Sequence, residues 1–288
     1  MFGAVRTLLF GGLAGKALGV ARELLTAALF GTGPIAVAYR LAQAAFLIPL
    51  HGFISESFGA GFTPAYARSR AEHAEHSRVL FAAMHAVVLV VSVLVGALLV
   101  LVAGQWVGLL APGFDAATAL MAQQMVMVLA LAMPFYALTG LYAAARIAAG
   151  DARMAAARAA AQNVGLIAGT ALAWWRGEPV LTAVGFLAAY VALTAWGFHG
   201  ALAQGLRPWP KRGEWVAGRE LLQRVWRAVR VLLLVPVLLQ IHFVVERRVA
   251  SLVSDGAVAA LDYARFLSDT AVLLFAVPFG LAGLGAMA

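Results

Sequence analysis

Residues 11–40 read GGLAGKALGVARELLTAALFGTGPIAVAYR, and this stretch decides the fold. It is apolar enough to lie in a bilayer, yet it carries Lys16, Arg22, Glu23 and Arg40. An ion facing lipid costs on the order of 2.5–3.5 kcal/mol even on lenient insertion scales, so intramembrane charges face a bundle interior or a water-filled cavity. The stretch therefore predicts membrane helices with a polar path inside the bundle. Gly11, Gly15 and Gly19 recur every four residues and form a small-residue stripe against which a neighbouring backbone can pack closely.

The surrounding composition supports that reading. Of 288 residues, 63% are hydrophobic and 12% charged, with a mean hydropathy of +0.89; a soluble domain carries about 25% charged residues. A soluble core has too little interior to hide so much apolar surface, so the chain reads as an integral membrane protein with many spans. The formal charge of +8 lies mostly between apolar runs. That placement fits inward-facing loops and anionic headgroups, and argues against a nucleic-acid partner. The absence of cysteine excludes disulfides, thiolate metal sites and cysteine nucleophiles, and the six histidines form no short-spaced metal motif. The sequence holds no phosphate-binding loop, dinucleotide fingerprint, zinc-binding His-Glu-x-x-His or nucleophile elbow, so neither an enzyme nor a cofactor is expected. Met1 to Phe10 has one arginine and runs directly into the charged, glycine-rich helix; it reads as a retained span rather than a signal peptide.

Taken in order, the first segment covers about residues 4–30 and ends at Phe30-Gly31-Thr32-Gly33-Pro34. The second covers about 35–64, long enough at 1.5 Å per residue to reach about 45 Å, and Pro49 with its following glycines predicts a bend. A polar connector, 66–78, precedes the Val- and Leu-rich third segment at about 79–103. The loop AGQWVGLLAPGFD follows, with Trp106 and Phe114 as interfacial anchors. The fourth segment, about 118–145, contains Pro134 and is expected to kink. The fifth and sixth take about 156–175 and 180–202. Residues 204–230 form the longest basic connector, in which Leu221, Leu222, Val225, Trp226 and Val229 between arginines predict an amphipathic surface helix. The seventh and eighth take about 231–247 and 258–285. Connectors after segments two, four and six hold thirteen Lys or Arg residues against three in the others, Arg146, Arg153 and Arg158 being counted in the second of them. That bias predicts cytoplasmic termini.

The charges inside this pattern are the candidate site. Lys16 and Arg22 stand about 120° apart on an ideal helix, and they border one broad cavity or none. Arg40 either joins them or snorkels outward. Glu56 is a candidate partner for a cation, or a group that carries a coupling proton. His51 titrates near neutrality or packs as an ordinary buried histidine. Asp262, Arg265 and Asp269 follow i,i+3 and i,i+4 spacing, which either neutralises the trio on one helix face or lends it to a shared cavity.

At this point a resemblance adds specificity. GKALGVARELLTAALFGTG resembles the first helix of the MurJ/MviN lipid II flippase family, with its basic residue, Leu-Gly-x-x-Arg-(Asp/Glu) and Phe-Gly-x-Gly. FGAGFTPAYA at 58–67 is similar to that family's Phe-x-x-Ala-Phe-x-Pro segment, and ERRVASLVSDGAVAALDYARFL at 246–267 to its seventh-to-eighth-helix region. The family belongs to the multidrug/oligosaccharidyl-lipid/polysaccharide exporter superfamily, whose members enclose a central cavity between two helical lobes.

The resemblance implies an all-α polytopic membrane protein of about eight transmembrane helices. Residues 1–203 would form a six-helix N-terminal lobe, 204–230 a basic cytoplasmic connector, and 231–288 the first helix pair of a second lobe. It implies a multi-pass protein of the bacterial cytoplasmic membrane, with its N-terminus cytoplasmic, that moves an anionic lipid-linked glycan by alternating access. By the resemblance, substrate-binding positions fall on Lys16 and Arg22 and approximately on Arg265, and an acidic position falls within a residue of Glu56, a coupling or countercharge group; the residue reading adds Arg40 as a substrate contact and Asp262 as a coupling or countercharge group. The family's acidic position early in the second helix falls on Val37, and its further basic positions fall near Ala44 and Leu50-His51. A complete member has about fourteen spans, so the chain is expected to be a fragment, a truncated product, or a protein whose cavity another membrane chain completes. Coupling is expected to the membrane potential or to a monovalent ion. Partners besides membrane lipids would be the glycan lipid and a glycosyltransferase. Two alternatives stand beside this: a multidrug or small-solute exporter of the same superfamily, and a nontransporting scaffold for envelope-polymer synthesis.

Overall fold

The computed structural model describes residues 2–53, 56–230, 234–254 and 256–271, and among them the regular elements are helices. They are α1 (Phe2–Phe30), α2 (Pro34–Phe53), α3 (Glu56–Glu72), α4 (Ala74–Leu101), α5 (Ala103–Leu110), α6 (Ala116–Ala148), α7 (Arg153–Arg176), α8 (Leu181–Ala203), α9 (Trp215–Val229), α10 (Leu234–Val253) and α11 (Ala257–Ala271), with a 3-10 turn at Arg212–Glu214. Three of the described helices, α4, α6 and α8, are long and apolar enough to cross a membrane. On α4, Val90, Leu94, Leu98 and Leu101 are exposed while Val88, Ser92, Gly96 and Leu99 are buried. So large an outward apolar surface is what acyl chains cover.

α6 is the axis of the bundle. Its 33 residues are rich in alanine and small side chains, and α2, α3, α4, α5, α7 and α8 all pack around it. The helix runs through Pro134 without interruption. Proline leaves the Ala130 carbonyl without its intrahelical donor, and at that point α4 comes close through Gly96, where an added Cβ would stand 2.8 Å from the Ala130 oxygen. One turn on, Thr194 of α8 donates to the Phe135 carbonyl at 2.8 Å, and its hydroxyl meets that of Thr139 at 3.1 Å. Neighbouring helices thus support the polar backbone around the proline.

The glycine stripe of α1 packs as its spacing predicts. Gly11, Gly15 and Gly19 lie against Ala156, Ala159 and Asn163 of α7, and the Asn163 amide donates to the Gly15 carbonyl at 2.8 Å. The two helices run parallel, because both sets of numbers rise together. A Cβ on Gly11 would stand 2.6 Å from the Ala156 oxygen, whereas one on Gly12 would meet nothing within 4 Å. Gly11→Ala is therefore expected to destabilise by about 1–3 kcal/mol through overpacking. Gly12→Ala is expected to stabilise by about 0.5–1 kcal/mol, since alanine is the better helix former. Thermal unfolding of the two variants in one detergent checks the opposite signs.

Two connectors differ from their sequence reading, and the third, the basic one, forms the amphipathic helix its pattern predicts. Residues 66–78 are largely helical: α3 runs to Glu72 and α4 starts at Ala74. α3 packs on α4, α6 and α9, with Phe62 and Tyr66 buried, and that burial outweighs the polarity of its C-terminal turn. The loop after the third segment contains α5, pinned to α2 by the Trp106 indole N–H donating to the Ala45 carbonyl at 3.0 Å. Trp106 is therefore a half-buried clasp between helices. The basic connector forms α9, docked on α3 and α4 with Val225 buried, while Trp215, Val216 and Trp226 face outward.

Candidate functional site

The turn between α1 and α2 sets the geometry. Gly31 adopts φ +55°, and Pro34 opens α2, where its fixed φ suits the first helical position. The chain reverses tightly, so Glu23, seven residues before Phe30, comes level with Arg40, six residues after Pro34. Arg40 donates to one carboxylate oxygen of Glu23 and Arg22 to the other. α10 and α11 complete the cluster. Arg247 grips Asp262 with two parallel hydrogen bonds, one of them 2.7 Å, and Asp262 lies 3.9 Å from Arg40. The Arg40 guanidinium stacks 3.9 Å from the ring centroid of Tyr263, whose hydroxyl donates to the Gly31 carbonyl at 2.9 Å.

Glu23, Arg40 and Arg247 are 8%, 7% and 6% exposed. Three guanidiniums thus meet two carboxylates in a dry setting, with one positive charge in excess. Donors remain unused: Arg40 Nε, Arg247 Nε and the hydroxyl of Tyr39 are buried without a hydrogen-bond partner among the described residues. Tyr39 feels the charges of Arg22, Glu23 and Arg40. Buried polar groups are almost always satisfied, so such donors in one place call for an acceptor. Beside the cluster, Arg265 pairs with Glu246 and lies over the Phe243 ring, while His242 stands 3.9 Å from the same carboxylate.

Of the residues singled out from sequence, Arg22, Arg40 and Asp262 come together here. Arg40 does not snorkel; it points into the protein. Arg265 sits in the adjoining pair. Lys16 is exposed, between Leu13 and Val20 on the outward stripe of α1, and makes no ion pair among the described residues. Of the two alternatives for the trio on α11, pairing along one face is not seen between Asp262 and Arg265: Asp262 takes its partner, Arg247, from α10 with two-pronged geometry, and Arg265 pairs with Glu246, also of α10. The side chains of Glu56, His51 and Asp269 lie outside the described residues. Glu23 and Arg247 are the members to which sequence reasoning assigned no role. The signal for Glu23 was present, since a carboxylate in an apolar helix needs a nearby cation.

A second ion cluster lies in the α6–α7 connector. Asp151 accepts from Arg146 Nε at 2.9 Å and Nη2 at 2.6 Å, and from Arg153 Nε at 3.0 Å. These bonds, that of Arg153 foremost, hold its carboxyl well below the usual carboxylate range. A depressed folded-state pKa adds stability above the unfolded value of about 3.9 that is lost as pH falls through the folded value. Asp151→Asn is therefore expected to flatten the acid limb of a plot of Tm against pH, leaving the neutral-to-alkaline limb parallel to wild type.

Helices of membrane length packed around α6, with a buried ion cluster at one end, define an all-α polytopic membrane protein. The chain belongs to the MurJ family: residues 26–288 match the family described as Lipid II flippase MurJ. Its fold is similar to that of a solved lipid II flippase MurJ in an inward closed conformation, with a TM-score of 0.75 and 18% identity over 93% of this chain and 56% of the other. It is also similar to a MOP superfamily transporter from Pyrococcus furiosus, for which a reversed polarity of the binding pocket has been taken to suggest a different function; the TM-score is 0.62, with 16% identity over 83% of this chain and 52% of that one. The chain thus spans little more than half the length of the solved proteins it resembles. No curated protein matches it.

Proposed function

We propose that this chain moves a lipid-linked glycan precursor across the bacterial cytoplasmic membrane, as a flippase of the MurJ type or the N-terminal portion of one. The observation that carries the reading is the excess of guanidinium over carboxylate in the buried cluster, with its unused donors, in a chain of this family. A diphosphate offers arginine the same two-pronged acceptor geometry as a carboxylate, with more charge. Substrate binding would then exchange Glu23 and Asp262 for phosphate oxygens on Arg22, Arg40 and Arg247, releasing α1 and α2 from α10 and α11. Lys16, on the exposed side of α1, meets the head on its way in, and Arg265 after its release from Glu246. Asp262 and Glu56 serve as countercharges or coupling groups, and the membrane potential or a monovalent ion drives the cycle. The prenyl tail stays in hydrocarbon.

On this reading the chain has eight spans, a six-helix lobe to residue 203, the basic connector 204–230 and the opening pair of a second lobe, and its N-terminus is cytoplasmic; the three helices of membrane length, α4, α6 and α8, support it. With that orientation the cluster lies in the outer half of the bilayer and closes its outer end. Transport of a fluorescent polyprenyl-diphosphate sugar in proteoliposomes tests the reading. Protection of the fluorophore from an external quencher must change only when the chain is present, and no change overturns the reading.

A further inference from the structure

Arg158 was counted from sequence among the connector arginines, yet the structure sets it inside α7, five residues past Arg153, about 7.5 Å into the helix. It is half-buried and forms no ion pair among the described residues. Its partners are aromatic: the guanidinium lies 4.4 Å from the Tyr136 ring centroid and 5.8 Å from that of Tyr190, and its Nε reaches the Tyr190 hydroxyl at 3.4 Å. That hydroxyl donates to Gln162 Oε1 at 2.6 Å, which ties Gln162 into the same polar group. The platform is rigid, because Tyr136 and Tyr190 pack on each other and on Phe186, and Tyr136 meets Phe46 of α2 edge-on.

A structural arginine in an apolar bundle is normally neutralised by a carboxylate. Here the neighbours hold the guanidinium in place through its face and one edge, and none of them cancels its charge. Aromatic rings beside an uncompensated guanidinium are the chemistry that receives a phosphate and an adjoining sugar. The position is also informative. Ala159 packs against Gly15, so Arg158 stands level with about residue 14 of α1, roughly 12 Å along the bundle from Arg22.

We propose that Arg158, with Tyr136, Tyr190 and Gln162, forms an anion subsite that holds the phosphate of the lipid-linked substrate before it reaches the Arg22–Arg40–Arg247 cluster. The subsite rests on the transport reading above. It is tested by binding of polyprenyl diphosphate to the full chain in nanodiscs, comparing wild type, Arg158→Gln, Arg158→Lys, Gln162→Ala and, as an outward control, Arg176→Gln, with phosphatidylglycerol as the competing ordinary lipid phosphate. Arg158→Gln is expected to weaken binding at least about tenfold. Arg158→Lys should fall between it and wild type, Gln162→Ala should lose about threefold, and Arg176→Gln should match wild type. Wild-type binding that Arg158→Gln leaves unchanged overturns the subsite alone. Equal displacement by phosphatidylglycerol at the same concentration overturns it too, since the residue then holds any lipid headgroup. No binding by wild type overturns both the subsite and the transport reading. Should Arg158→Gln fail to fold, the lysine variant decides: weaker binding supports the subsite and unchanged binding overturns it.

Discussion

Glu23→Ala is expected to destabilise the protein by roughly 3–5 kcal/mol, the range for removing one partner of a buried ion pair and leaving the other charge uncompensated. Glu23 is the common acceptor of Arg22 and Arg40, and its loss takes from Arg22 its carboxylate partner and leaves Arg40 with Asp262 at 3.9 Å as its carboxylate among the described residues. The double variant Glu23→Ala with Arg40→Met is expected to recover part of the loss, because it removes one of the two guanidiniums that Glu23 served while Arg22 still lacks its carboxylate. Arg40 is a sharper test than a surface arginine, for its 7% exposure leaves little solvent to screen the change. Chemical unfolding of the wild type, both single variants and the double variant in detergent gives the coupling between the residues. A coupling near zero would show that the contact contributes nothing to the fold.

Arg40→Gln is expected to lower transport of a polyprenyl-diphosphate sugar by roughly 10–100-fold, the loss expected when a charged hydrogen bond to phosphate is replaced by a neutral one. Glutamine keeps donor capacity and much of the side-chain length, so the variant separates charge from packing. Arg22→Ala and Lys16→Ala are also expected to reduce transport. Unchanged flux in both would remove their proposed substrate contacts, and unchanged flux in Arg40→Gln would leave the cluster a purely structural clasp. Flux should be compared at equal reconstituted protein, with Tm measured in parallel so that unfolding is not read as lost transport.

Much of the architecture was legible in the chain because hydrophobic length and glycine spacing act locally. The i,i+4 stripe of α1 is a property of one helix, and any close neighbour would use it; here the neighbour is α7. Apolar runs of the length of α4 and α8 have few stable placements other than a bilayer. Connectors were less legible. α3 and α5 are helices held by contacts from distant segments, as where Trp106 reaches Ala45, and no local pattern announces such a contact.

By itself the sequence determined an all-helical membrane protein, a small-residue face on α1, and charges in its first two spans that have to find partners inside the bundle, since burial of an ion in hydrocarbon leaves no cheaper outcome. Which charges meet was decided by tertiary structure alone. Arg247 and Asp262 are fifteen positions apart and join only because α10 and α11 fold against each other beside the Gly31 turn. Arg158, counted by sequence with the connector charges, sits in an aromatic cradle with no ion pair among the described residues because α6 and α8 bring Tyr136 and Tyr190 to it. Electrostatic pairing depends on distances of a few ångströms between helices remote in sequence, and spacing along one chain does not encode them.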